Sequence, residues 1–138
     1  MTESLPQLPV VHLPVEKLRS YWLNCGEEES VTITEIRDAI ADKRFQAKPL
    51  VGAEWTAELR NKHIERIAFL VVNGWEDPIE IDVGCPTFGC YVNHIVIDGN
   101  HRLAAAIFCN NKTIAANIGG QISHAEELFD MELEHLYD

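Results

Sequence analysis

Five consecutive residues, Asp98-Gly99-Asn100-His101-Arg102, have side chains that could work together on one ligand. They stand where the apolar run Ile95-Val96-Ile97 ends and the run Leu103 to Phe108 begins. A strand giving way to a helix so abruptly leaves first-turn backbone N–H groups without intrahelical acceptors. Their aligned dipoles amount to about half a positive charge, and a phosphate or carboxylate suits such an end. Gly99 lets the chain turn sharply and approach that anion. Arg102 can place a two-pronged hydrogen bond on phosphate oxygens. His101 can donate a hydrogen bond or move a proton near neutral pH. Asp98 can cap the helix, orient His101, or hold a cation such as Mg²⁺ that bridges phosphates. Asp98, His101 and Arg102 are therefore the candidate catalytic residues, and Gly99, Asn100, His101 and Arg102 the candidate phosphate ligands. Asp-Gly-Asn is also a common turn composition, in which Asp98 only caps and Arg102 only pairs with an acid. The residues alone leave the two readings level.

The elements that must position this segment follow from periodicity. Ile79, Ile81 and Val83 alternate with Glu80 and Asp82, which predicts a half-exposed strand over 79–83. Further strands are predicted at 10–15, where the prolines suggest an edge, at 94–97 and at 113–118. A helix starts at Thr32, with Glu35 three residues on as a capping box and Val31 and Ile36 as a hydrophobic staple. The longest helix is expected from Thr56 to Val72, burying Ile64, Ile67, Ala68 and Val71, with Asn73-Gly74 as its stop. The helix over 101–109 is apolar nearly all round and so predicted to be buried. Ser123 and Glu126 suggest a second capping box, with Ala125, Phe129, Leu133 and Leu136 facing inward. The expected class is α+β: a small mixed sheet of about four strands packed with helices, one domain over 1–138.

Composition narrows the partners. The chain has 138 residues, 46% hydrophobic, enough for a packed core. Its 22 acids against 11 bases give a net charge of −11, which argues against direct nucleic-acid binding. Arg102 is the sole Lys or Arg between Arg66 and Lys112, in an otherwise acidic stretch. The sequence shows no apolar run of membrane-spanning length and no leader pattern, so the expectation is a cytoplasmic protein with Cys25, Cys85, Cys90 and Cys109 reduced. Cys25 reads as a loop residue and Cys109 as a core residue. Cys85, Cys90 and His94 are metal-ligand types without a strong zinc spacing. His12, His63, His124 and His135 read as surface or packed histidines, and Trp22, Trp55 and Trp75 as packing residues.

The Asp98–Arg102 segment resembles the signature of the ParB/sulfiredoxin superfamily, in which a strand leads to Gly-x-x-Arg or Gly-x-His-Arg at a helix start. The preceding helix over Thr56–Val72, then Gly74 and Pro78-Ile79, are similar to the family's upstream order. Ala104-Ala105-Ala106 is similar to its small-residue helix, Thr113–Ile118 to the strand after that helix, and Val10–Leu18 to its first strand. The likeness therefore covers about residues 8–120. It implies a ParB/sulfiredoxin-like fold that binds nucleotide phosphate (CTP, ATP or ADP), with backbone N–H groups from Gly99 and Asn100 and side-chain contacts from His101 and Arg102. Mg²⁺ is the implied cofactor if the nucleotide is turned over. Asn100 stands where sulfiredoxins have cysteine, so sulfinic-acid reduction is not expected. No helix-turn-helix region or second arginine-rich motif is recognisable, so chromosome partition by this chain alone is not expected. Kinase-like members need a carboxylate base, for which Glu54, Glu58, Glu76 and Asp77 qualify by type.

The expected function is thus nucleotide-phosphate binding, with phosphoryl transfer or nucleotide hydrolysis as its catalytic form. Two alternatives stand beside it. One is a non-enzymatic phage or plasmid accessory protein that binds a protein partner. The other is a metal-dependent nuclease.

Overall fold

A helix of small apolar residues is the pivot of the fold. The computed structural model describes residues 10–19, 31–50, 56, 58–92 and 94–133. Among the described residues four strands, β1 (Val11–Pro14), β2 (Ile79–Asp82), β3 (Val96–Asp98) and β4 (Thr113–Gly119), form one sheet in the order β1-β4-β2-β3. β2 and β4 run parallel at its centre, and β1 and β3 flank them antiparallel. The helices are α1 (Val15–Leu18), α2 (Ile33–Ala41), α3 (Arg60–Asn73), α4 (Asn100–Phe108) and α5 (Ile122–Phe129). The molecule is α+β with a four-stranded mixed sheet, as its residue patterns predict.

α4 lies between the sheet and the pair α2–α3. Leu103 and Ala106 belong to the cluster on the inner sheet face, with Leu13, Ile79, Ile81, Ile118 and Phe129. Ala104 and Ala105 belong to the second cluster, with Ile36, Ala39, Ile64, Ile67, Ala68 and Leu70. A helix packed on two sides needs side chains that occupy little depth, and three successive alanines supply that. Trp75, just beyond α3, packs against both clusters.

The first capping box forms. Thr32 Oγ1 accepts from Glu35 N at 3.2 Å, and Glu35 Oε1 accepts from Thr32 N at 3.1 Å. Val31 and Ile36 meet in the second cluster. Arg60 at the start of α3 hydrogen-bonds the same Glu35 carboxylate, tying α2 to α3. That guanidinium, against a smaller cost of burial, holds Glu35 down at about 2. Thr32→Ala removes one cap acceptor and is expected to lower stability by about 1 kcal/mol, read by urea denaturation.

Several expectations are corrected. α3 starts at Arg60, not Thr56; Thr56 instead accepts from Leu59 N through its carbonyl at 3.1 Å, in the turn that precedes the helix. Gln121, not Ser123, is the N-cap of α5. The Gln121 side chain is drawn to the 84–90 loop, where it accepts from Thr87 N and donates to Thr87 Oγ1. Glu126 accepts from Leu133 N at 2.8 Å rather than closing a box. Cys109 is exposed beyond the end of α4, not in the core. β3 begins at Val96 and extends to Asp98. The readings of Trp22, Cys25, Glu54, Trp55, His135 and Leu136 fall outside the described residues.

Candidate functional site

The turn from β3 into α4 is shaped by a bulge. Ile81 pairs with Val96 but Glu80 pairs with Asp98, so Ile97 is the extra residue on β3. Such an insertion reverses the side-chain alternation. Val96 stays in the core, while Asp98 shares the outer sheet face with Glu80 and, one strand further, Asn117. Gly99 follows with φ of +107°, caps α4 and is buried. A Cβ on it would lie 2.4 Å from Ile79 Cγ2, so the backbone passes too close to β2 for any side chain.

An open cavity of about 1030 Å³ lies against this turn, bordered by α3, α4 and the chain entering β2. Asp98, Gly99, His101 and Arg102 all line it. Asn100 does not line it, so four of the five predicted residues meet there. Glu76 and Asp77 also line it, whereas Glu58 does not. Among the further liners, Arg66 of α3 and Asn117 of β4 carried no signal in the sequence.

Arg102 is held more firmly than the sequence suggests. Its Nη1 donates to the Asp77 carbonyl at 2.9 Å and the Pro78 carbonyl at 3.0 Å. Its Nη2 lies 3.4 Å from Asp98 Oδ2. Half of its fork therefore fastens α4 to the entrance of β2, and the Asp98 contact is a long one on an exposed carboxylate. This is the structural role that a plain turn would give it. It leaves Nε and part of Nη2 for a ligand.

Arg66 is differently placed. It donates to the Ala47 carbonyl at 2.8 Å and lies over the Phe69 ring at 5.4 Å. Among the described residues no carboxylate lies within ion-pair distance of it. Burial, then the Arg102 charge, push its guanidinium below the usual arginine range. Two cations thus face one cavity and repel each other.

His101 meets His63 rather than water. His63 Nδ1 and His101 Nε2 are 2.7 Å apart, with the rings parallel to within 13°. Nitrogens that close cannot belong to rings stacked face to face, so the imidazoles meet edge on, one donating to the other. His63 is fully buried, on the α3 face that also carries Arg66. Burial, followed by His63, Arg66 and Arg102, lowers the His101 pKa to about 3. At neutral pH His101 is therefore a neutral hydrogen-bonding group, not the titrating group its type suggested. The buried pairing of His63 could not be found from a lone histidine in a helix.

Asn117 contributes an unusual atom. Its Oδ1 is buried and has no hydrogen-bond partner. It lines the main cavity and an adjoining one of about 500 Å³ on the outer sheet face. Among the described residues no group of three or more His, Cys, Asp or Glu could hold a metal ion, and Cys85, Cys90 and His94 form no such group. Nor is any described helix long and apolar enough to cross a membrane.

Comparison with known proteins adds no relative: no family model, no curated protein and no solved structure matches this chain.

Proposed function

We propose that the cavity beside α4 binds the phosphate oxygens of a nucleotide-sized ligand. The observation that carries this reading is Arg66. It is a partly buried guanidinium without a carboxylate partner among the described residues, facing the same cavity as Arg102 and the N-terminal turn of α4. An anion there would relieve the repulsion between the two arginines and accept charge-assisted hydrogen bonds. The cavity is of the size that small-molecule ligands occupy. Arg66 and the free part of the Arg102 fork would contact the anion, with neutral His101 forming part of the wall. The ParB/sulfiredoxin resemblance belongs to this proposal, as do CTP, ATP and ADP as candidate ligands.

Turnover, as phosphoryl transfer or hydrolysis, would need Mg²⁺ carried largely by phosphates and water, a usual arrangement for this ion. Asp98 and Glu80 are the carboxylates at the turn nearest to such a role. Arg102 would stabilise charge developing at phosphorus.

Titration calorimetry with CTP, ATP and ADP, with and without Mg²⁺, tests the reading. At least one nucleotide is expected to bind, and Arg66→Gln to weaken it by roughly 10- to 100-fold with only a small drop in melting temperature, since the Ala47 carbonyl it releases is exposed to water. Absence of heat with all three would remove the proposal. Arg102→Ala is the poorer probe, because it also frees the Asp77 and Pro78 carbonyls.

One observation favours the protein-partner alternative. Phe88 and Tyr91 are 82% and 78% exposed on the loop after β2. A stable protein complex unaffected by nucleotide would support that reading. The nuclease alternative has no comparable support, given a net charge of −11.

A further inference from the structure

The loop that follows β2 brings two thiols into register. Cys85 N donates to the Cys90 carbonyl at 2.8 Å, and Cys90 N donates to the Cys85 carbonyl at 3.1 Å. The two residues exchange both bonds and form an isolated antiparallel bridge. Directly opposed residues of this kind have Cα atoms about 5.5 Å apart and side chains on the same face. A disulfide spans Cα separations of about 4.4–6.8 Å, so the pair stands within bridging reach. Both cysteines are free, Cys90 is exposed and Cys85 half-buried. Gly89, in the left-handed region at φ of +75°, reverses the chain between them, and the Pro86–Phe88 turn fills the interval. Thr87 in that turn is fastened to Gln121 at the start of α5. Separation is thus limited on both sides of the pair: the ladder holds the cysteines together and the α5 contact holds the turn.

We propose that Cys85 and Cys90 are a reversible thiol–disulfide pair, oxidised by a small disulfide of the glutathione type. The exposed Cys90 thiolate attacks the small disulfide, forming a mixed disulfide and expelling one thiolate. The Cys85 thiolate then attacks the Cys90 sulfur and expels the second. Two protein thiols become one disulfide. The two electrons and two protons they lose appear on two molecules of the small thiol. A hydrogen-bonded strand pair holds its Cβ atoms further apart than a relaxed disulfide prefers, so the bond closes under tension and is readily reduced. That makes it a switch rather than a permanent staple. Its structural effect is to lock the turn that presents Phe88.

The test uses the full chain incubated with glutathione disulfide, then alkylation of remaining thiols and peptide mapping by mass spectrometry. The expected product is a Cys85–Cys90 cross-link with the loss of two hydrogens, formed ahead of any other cysteine product and reversed by dithiothreitol. Cys109→Ser should leave it unchanged. Cys85→Ser should instead trap Cys90 as a stable glutathione adduct. The inference is overturned if the unmodified sequence accumulates that adduct with Cys85 still alkylatable. It is equally overturned if Cys90 pairs with Cys25, Cys109 or a second molecule.

Discussion

Gly99→Ala is expected to destabilise the protein by about 4 kcal/mol, the sum of backbone strain and steric overlap. The strain comes from a φ of +107°, which non-glycine residues rarely adopt. The overlap comes from Ile79, whose Cγ2 and Cβ would sit 2.4 Å and 2.7 Å from the new methyl group. Ile79 is fully buried in the central strand β2 and has no room to yield. Gly89 provides the control. It has a φ of +75°, but a methyl group added there would meet nothing within 4 Å, so Gly89→Ala should cost only the conformational share, about 1 kcal/mol. Urea denaturation of both variants separates the two contributions. Equal losses would mean that the close approach of the α4 start to β2 is not tight.

Acid should weaken the fold well before its carboxylates protonate, by roughly 2 kcal/mol between pH 6.5 and pH 5. The cause is His101, whose pKa falls from 6.5 to about 3 through burial and the neighbouring His63, Arg66 and Arg102. In that interval the unfolded chain takes up a proton at position 101 and the folded chain does not. Stability therefore rises with pH through this window, is complete above about 6.5, and declines as pH falls toward 3. Glu35, held at about 2 by Arg60, adds its own loss only below its usual value of 4.5. Denaturant titrations at pH 7, 6 and 5 read the slope, and His101→Gln should flatten it. A native protein equally stable at pH 7 and pH 5 would contradict a buried, neutral His101.

Both predictions concern residues that the sequence singled out, yet neither effect could be read from it. The glycine was identifiable as a turn residue, since Asp-Gly-Asn follows an apolar run. Its intolerance of a methyl group depends on Ile79, far earlier in the chain and brought alongside by strand pairing. Features set by neighbours in the chain were legible: the alternation of β2, the Thr32–Glu35 box and the apolar circumference of α4. Ser123 and Glu126 had equally good local credentials, but Gln121 was recruited by Thr87 and moved the helix start. The site itself was half visible. Arg66 carried no signal, because an arginine on an amphipathic helix is ordinary until another cation faces it. His63 and Asn117 were hidden for the same reason, as their chemistry comes from what lies opposite on α4 and across the sheet.

The extra residue in β3 has a consequence for the molecule's neighbours as well as for Asp98. Among the described residues β3 lies at one margin of the sheet, only three residues long and kinked at Ile97. At the opposite margin β1 finishes in Pro14, which has no amide hydrogen to offer. A foreign extended chain seeking to prolong the sheet would meet a broken ladder on one flank and an abbreviated one on the other. The geometry that aims a carboxylate toward the cavity also guards against fibrous self-association.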